Sequence, residues 1–189
     1  RLELGNTSTL LDRLIRGTTW LCEDITVFGK THPQPRLVAW HGDPGASYTY
    51  SGIHHEPAPW TPLLQGLRVQ VEDIARHRFN SVLLNYYRDG RDSMGLHADD
   101  EPELGREPVI ASLSLGEQRS LYFRHRSRRD LNNLNLALPD GSLLIMSGAT
   151  QDNWKHGMRK LTRQCGPRVN LTFRLIHSTG DTDQSGSDP

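Results

Sequence analysis

No stretch of this 189-residue chain is long and apolar enough to cross a bilayer as a helix, and only 35% of it is hydrophobic. No membrane partner is expected. Cysteine is scarce: Cys22 and Cys165 lie far apart and match no zinc or redox spacing, which fits plain thiols in a reducing compartment. There is no excess of either charge, with 22 basic against 22 acidic residues, so the molecule as a whole has no pull on a polyanion. Local patches must do such work. The candidates are "RHRSRR" (Arg124 to Arg129) and "MRKLTR" (Met158 to Arg163), with "DDEPE" (Asp99 to Glu103) as an acidic counterweight. Runs of this kind are most often solvated loops. No signal-peptide pattern is present, but the chain opens at Arg1 and not at a methionine, so this leaves localisation open; the cysteine usage is what points to an intracellular protein, cytoplasmic or nuclear according to its source.

What the chain does have is strand signal. Short runs divided by turn residues, "DITVFG", "RLVAWHG", "SYTYSG", "SVLLNYY", "VIASLSLG", "SLYFRH", "GSLLIMSG" and "RVNLTFRLI", predict a sandwich or jelly roll. Two helices flank it. In "STLLDRLIRG", Ser8 is the expected cap, Leu10, Leu11, Leu14 and Ile15 share a face, and Gly17 ends the run. In "TPLLQGLRVQVEDIARH", Thr61 caps, Pro62 suits the first turn, and Leu63, Leu64, Leu67, Val71 and Ile74 form the stripe. The fold class is therefore mainly β with flanking helices (α+β). A single domain is expected over 1–178, followed by a loose tail over 179–189 that has nothing apolar to bury.

The last strand carries the sharpest question. Arg168, Asn170, Thr172 and Arg174 fall on one side of it, Val169, Leu171, Phe173 and Leu175 on the other. An ordinary strand turns such a polar row to water. If the row points into a barrel instead, two buried arginines demand an anion, and guanidinium forks suit a dicarboxylate. In "LLNYYRDG", Asn85 and Tyr87 alternate with Leu84 and Tyr86 and can donate to the same anion.

A metal site is the second candidate. His97 and Asp99 in "GLHADDE" are two apart, so on extended backbone both leave on one side. His156 in "NWKHG" is the plausible third ligand. Two imidazoles and one carboxylate leave the other positions of an ion open, as in non-haem Fe(II) oxygenases, although zinc accepts the same set. His-x-Asp alone is a weak signal, and the bland alternative is a hydrogen bond in a loop. His54 and His55 are a rival pair, but as neighbours on a strand they point apart.

Taken together, "HADDE", "ASLSLG", "LLIMSGATQDNWKHG" and "PRVNLTFR" occur in the order found in the AlkB-type Fe(II)/2-oxoglutarate dioxygenases, which the chain resembles from about "DITVFGK" to "RVNLTFR". The resemblance implies a double-stranded β-helix (jelly roll), with His97, Asp99 and His156 as iron ligands. It also implies that Asn85, Tyr87, Arg168, Asn170, Thr172 and Arg174 surround 2-oxoglutarate, with Arg168 and Tyr87 at the distal carboxylate and Arg174 near the iron-chelating one. With O2 as the other co-substrate, the implied reaction is oxidative demethylation of N-alkylated bases such as 1-methyladenine and 3-methylcytosine. It gives succinate, CO2 and formaldehyde, and serves DNA alkylation repair.

The implied partner is DNA, or RNA, carrying alkylated bases, bound by a monomer. A target base must leave the stack. By the resemblance Tyr50 stacks on it, Glu101 contacts its exocyclic amine, and Phe28 in "VFGK" is a wedge that fills the vacated place in a duplex. Tyr48, Arg159 and Lys160, with Arg163, are phosphate contacts, and 1–80 holds a nucleotide-recognition lid. Two alternatives stand beside this: the same chemistry on a protein or small molecule, and a non-catalytic jelly-roll binding module.

Overall fold

Residues 2–22, 24–27, 30–46, 48–50 and 53–177 are described by the structure, a computed structural model. The element order begins with helix α1 (Thr7–Gly17) and strands β1 (Asp24–Val27), β2 (Lys30–Pro33), β3 (Leu37–Gly42), β4 (Tyr48–Tyr50) and β5 (Ile53–His55). Helix α2 (Pro62–Ala75) leads to β6 (Ser81–Tyr87), β7 (Met94–His97), β8 (Ile110–Gly116), β9 (Arg119–His125), β10 (Leu134–Leu138) and β11 (Leu143–Met146). A single turn, α3 (Thr150–Asn153), precedes β12 (Trp154–Met158) and β13 (Arg168–Arg174). Among the described residues no helix is long and apolar enough to cross a membrane.

Two antiparallel sheets form the body, a five-stranded one in the order β11-β8-β13-β6-β3 and a four-stranded one in the order β10-β9-β12-β7. From β6 onward successive strands alternate between the two sheets, apart from the β9–β10 hairpin, and this is the double-stranded β-helix expected from the ordered motifs. Strand β13 lies at the centre of the larger sheet, paired along its length with β6 and β8. Both of its faces are buried.

One face is sealed by the helices. Leu10, Leu11 and Leu14 of α1 and Leu64, Leu67 and Val71 of α2 join Val169, Leu171 and Phe173 of β13 in one apolar cluster. Removing a ring such as that of Phe173 from such a cluster costs about 3–5 kcal/mol. The helix caps are local: Thr61 accepts from the Leu64 amide at 3.2 Å, as expected, whereas α1 is capped by Asn6, which accepts from the Thr9 amide at 2.9 Å, and not by Ser8. Asn6 wins because the helix starts at Thr7, two residues before the start that a Ser8 cap implies, which places Ser8 inside the first turn.

Other details differ from expectation. Leu175 lies just past the end of β13 and does not extend its apolar row. Strands β2, β5, β7, β10 and β12 carry too short or too irregular a pattern to be read as strands from the chain alone. The expected tail over 179–189 lies outside the described residues.

Candidate metal and co-substrate site

The two sheets face each other across a cavity of about 660 Å³. The larger sheet contributes Asn85 and Tyr87 from β6, Ser112 from β8, and Arg168, Asn170, Thr172 and Arg174 from β13. From the smaller sheet come Met94 and His97 on β7, Leu121 on β9, Leu138 on β10, and His156 and Met158 on β12. The polar row of β13 points inward.

His97 and His156 sit directly opposite each other in the β7–β12 ladder, and the register shifts just beyond them, between His156 and Met158. Gly157 permits the close approach, since a Cβ there would lie 2.9 Å from the carbonyl oxygens of both Met94 and Gly95. The ring centroids are 4.4 Å apart. Asp99 follows in the loop after β7, its amide held at 3.0 Å by the Gln151 side-chain oxygen. Arg126 reinforces that loop, donating to Asp100 at 2.5 Å and to the Gln151 carbonyl at 3.1 Å.

Ligand atoms of His97, Asp99 and His156 all lie within 4.8 Å of one another. His97 Nε2 is 3.9 Å from Asp99 Oδ1, and His156 Nε2 is 3.8 Å from Asp99 Oδ2. Those separations are too long for hydrogen bonds and suit three donors around one ion. The hydrogen-bond accounting agrees. His97 Nδ1 meets the Gly95 carbonyl at 3.0 Å, which turns Nε2 to the centre. Asp99 Oδ1 accepts from Arg174 Nη2 at 2.7 Å, while its buried Oδ2 has no hydrogen-bond partner among the described residues. A divalent cation fits this donor set.

The electrostatics favour the ligating forms. Burial alone raises the Asp99 carboxyl, but Arg174, His97 and His156 together outweigh it and leave it at about 2, so the group is a carboxylate. Burial pushes the His156 imidazole down to about 4, with His97 and Arg174 adding to the fall and Asp99 opposing it. His156 is therefore neutral, as a metal ligand must be.

The other end of the cavity lacks such compensation. Arg168, 1% exposed, pairs across β6 with Tyr87 and donates Nη2 to Ser114 Oγ at 2.8 Å. Its Nε and Nη1 are buried without a hydrogen-bond partner among the described residues. Burial pushes this guanidinium down to about 10, Tyr87 opposing and Arg119 adding to the fall, so it stays charged at neutral pH. Each unsatisfied buried donor costs roughly 1–3 kcal/mol, more for a charged group. A carboxylate fits there.

The remaining expected co-substrate residues line the cavity but differ in freedom. Asn170 donates to Ser112 Oγ at 2.7 Å and to the Leu113 carbonyl at 3.0 Å, and its oxygen accepts from Thr172 at 3.0 Å. Asn85 Oδ1 accepts from Arg36 Nε at 2.7 Å. Glu101 lines the cavity with Oε2 buried and lacking a hydrogen-bond partner among the described residues.

Arg159 and Lys160 are exposed beyond β12, outside the cavity lining, and Arg159 lies 3.8 Å over the Tyr122 ring. Arg163 is paired with Glu117 at 2.8 Å. Phe28, and the side-chain roles expected of Tyr48, Tyr50, His54 and His55, lie outside the described residues. Sequence reasoning missed Arg36, Ser114, Arg119 and Gln151, which hold the expected residues in place. The signal for Ser114 was present, since it alternates with Ser112 in "ASLSLG".

Comparison with known proteins decides the family. The model of the 2OG-Fe(II) oxygenase superfamily matches residues 6–174. Over 189 aligned residues the chain is 41% identical to alpha-ketoglutarate-dependent dioxygenase alkB homolog 3 of Mus musculus, covering 93% of this chain and 64% of that protein. The chain belongs to the AlkB-type 2OG-Fe(II) oxygenases. A second relative of this AlkB-type chain, DNA oxidative demethylase ALKBH2 of Mus musculus, is 42% identical over 175 residues, covering 89% of this chain and 73% of that protein. The Arabidopsis thaliana protein of the same name is 34% identical, with 89% and 62% covered. This chain thus spans a little under two thirds of the length of the alkB homolog 3 relatives. The solved structure of OsALKBH1 superposes with a TM-score of 0.65 at 16% identity, over 90% of this chain and 91% of that one, and so shares the fold.

Proposed function

We propose that this chain is the catalytic domain, over 1–178, of an oxidative demethylase acting on N-alkylated bases of the 1-methyladenine and 3-methylcytosine type in DNA, with RNA as a further substrate. One observation carries the oxygenase part: a buried, charged and under-bonded Arg168 shares a cavity with a His-Asp-His donor set. The names of the ALKBH2 relatives support the nucleic-acid part. A ferrous ion held by His97, Asp99 and His156 supplies, with 2-oxoglutarate and O2, oxidation of an N-methyl group to N-hydroxymethyl, which leaves as formaldehyde while the co-substrate becomes succinate and CO2.

The chain's own side chains set up that chemistry. Arg168, with Tyr87 and Ser114 beside it, binds the distal carboxylate. Arg174 fixes one oxygen of Asp99 and leaves the other for the metal. Asn170 and Thr172, locked to each other and to β8, keep the wall between these ends rigid. Leu121, Leu138 and Met158 keep the far wall apolar and exclude water. Glu101 accepts from the exocyclic amine of the base and favours its positive charge. Phe28, Tyr48 and Tyr50 are assigned to the base and backbone, and Arg159 and Lys160, exposed just past β12, to phosphates. The protein acts as an intracellular monomer in this account; its two free cysteines are in keeping with a reducing compartment.

The test is a turnover assay on methylated single-stranded DNA, duplex DNA and RNA at one stated salt concentration, with Fe(II), 2-oxoglutarate and O2. Equal yields of succinate, formaldehyde and restored base are expected. Absence of turnover on every methylated base would reject the assignment.

A further inference from the structure

We propose that Arg119 is a positioning residue for the distal carboxylate of the co-substrate: from behind Tyr87 it fixes that ring and adds a second positive charge to the Arg168 end of the cavity. This rests on the proposed binding of 2-oxoglutarate at Arg168.

Arg119 opens β9 in the smaller sheet, yet its guanidinium lies 5.8 Å from the ring centroid of Tyr87, the last residue of β6 in the larger one. Arg168 approaches the same ring at 5.3 Å. One aromatic ring is therefore shared by two cations, both nearly removed from solvent, at 2% and 1% exposure. Arg119 does not line the cavity; Tyr87 and Arg168 form the wall in front of it.

Its hydrogen bonds go to backbone carbonyls: Asp89 at 3.4 Å and Asp92 at 3.1 Å in the β6–β7 turn, and Arg159 at 2.6 Å after β12. The two loops are also joined directly, since the Leu161 amide donates to the Gly90 carbonyl at 2.7 Å. Arg119 thus clips the end of the barrel behind Tyr87. A planar fork with several donors suits carbonyls on two loops, which explains arginine at this position.

Carbonyls do not cancel a charge. The neighbouring acids are committed elsewhere, Asp89 to Arg91 at 2.7 Å, Asp92 to Arg88 at 2.8 Å, and Glu117 to Arg163 at 2.8 Å. Arg119 and Glu117 still attract at longer range, and Arg119 repels Arg168. Two buried cations around one ring leave this end of the cavity positive, which favours an anion placed at Arg168. A monocarboxylic 2-oxo acid, which has no second carboxylate to place there, gains nothing from it.

The experiment is an oxygen-free equilibrium titration of the Mn(II)-loaded protein with 2-oxoglutarate and, separately, with 2-oxobutyrate, for the wild type, Arg119→Met and Arg119→Lys. We expect Arg119→Met to weaken 2-oxoglutarate about tenfold, to leave 2-oxobutyrate within about twofold, and Arg119→Lys to recover most of the loss. Equal weakening of both acids marks a purely structural clip and overturns the proposal, as does an unchanged affinity for 2-oxoglutarate in Arg119→Met. If Arg119→Met does not fold, Arg119→Gln decides: a reduced dicarboxylate preference supports the proposal, and a preference equal to that of the wild type overturns it. A wild type that binds both acids equally refutes the binding of 2-oxoglutarate at Arg168 itself, and the Arg119 role with it. A wild-type preference that survives intact in Arg119→Met refutes only the Arg119 role.

Discussion

Two arginines on one face of β13 have opposite surroundings. Arg174 meets the carboxylate of Asp99 at 2.7 Å, so its charge is answered within the protein. Arg168, six residues earlier, has a serine hydroxyl, an aromatic ring and a second arginine nearby, and two of its nitrogens lack hydrogen-bond partners among the described residues. Both sit in a strand whose opposite face is a conventional apolar core. On the function proposed above, the difference separates a structural ion pair from a receptor: one end of the cavity holds Asp99 for a metal, and the other takes a carboxylate.

The metal end gives the largest effects. His156→Ala and Asp99→Ala should each abolish stoichiometric Mn(II) uptake by dialysed protein, and uptake persisting in both would remove the site. Next, the two arginines should differ in sign. Without the co-substrate, Arg174→Met strands the Asp99 charge and should lower stability by about 3–5 kcal/mol, whereas Arg168→Met removes an unpaired buried cation and should raise it by about 1–3 kcal/mol. Chemical denaturation of the metal-free variants reads this directly, and equal signs would erase the distinction.

The smallest effect is a pH dependence. A protonated His156 is disfavoured in the fold, where its pKa falls from 6.5 to about 4, so the unfolded chain binds the extra proton. Stability of the metal-free protein is then full above pH 6.5 and is lost as pH falls toward 4. Asp99, lowered from 3.8 to about 2, adds a further loss below that window, also toward acid. In His156→Asn the slope of the melting temperature between those first two values should flatten. A slope unchanged by the substitution would assign the acid sensitivity to other groups.

The strict alternation of β13 made its two faces legible in the sequence, because a period of two is local and needs no partner strand. Direction was a different matter. An inward Arg168 differs from a solvated one only through the pairing of β13 with β6 and β8, and it was the metal motif that pointed the row toward a cavity. The supporting residues escaped for the same reason. Arg119 looks like any arginine at a strand start, and its reach to Tyr87 exists only once β6 and β9 are stacked. Gln151 sits in a four-residue helix with no amphipathic stripe to read, and its bond to the Asp99 amide joins residues 52 apart. Strand β12 carries His156 but opens "WKHGM", where the glycine needed for close approach to β7 reads as a turn.

The most direct test of the central claim is the affinity of 2-oxoglutarate for the Mn(II)-loaded protein, measured by calorimetric titration in the wild type and in Arg168→Met. A receptor guanidinium at Arg168 predicts a loss of at least about a hundredfold, the equivalent of a buried charge-assisted pair. An affinity that survives the substitution unchanged would contradict it.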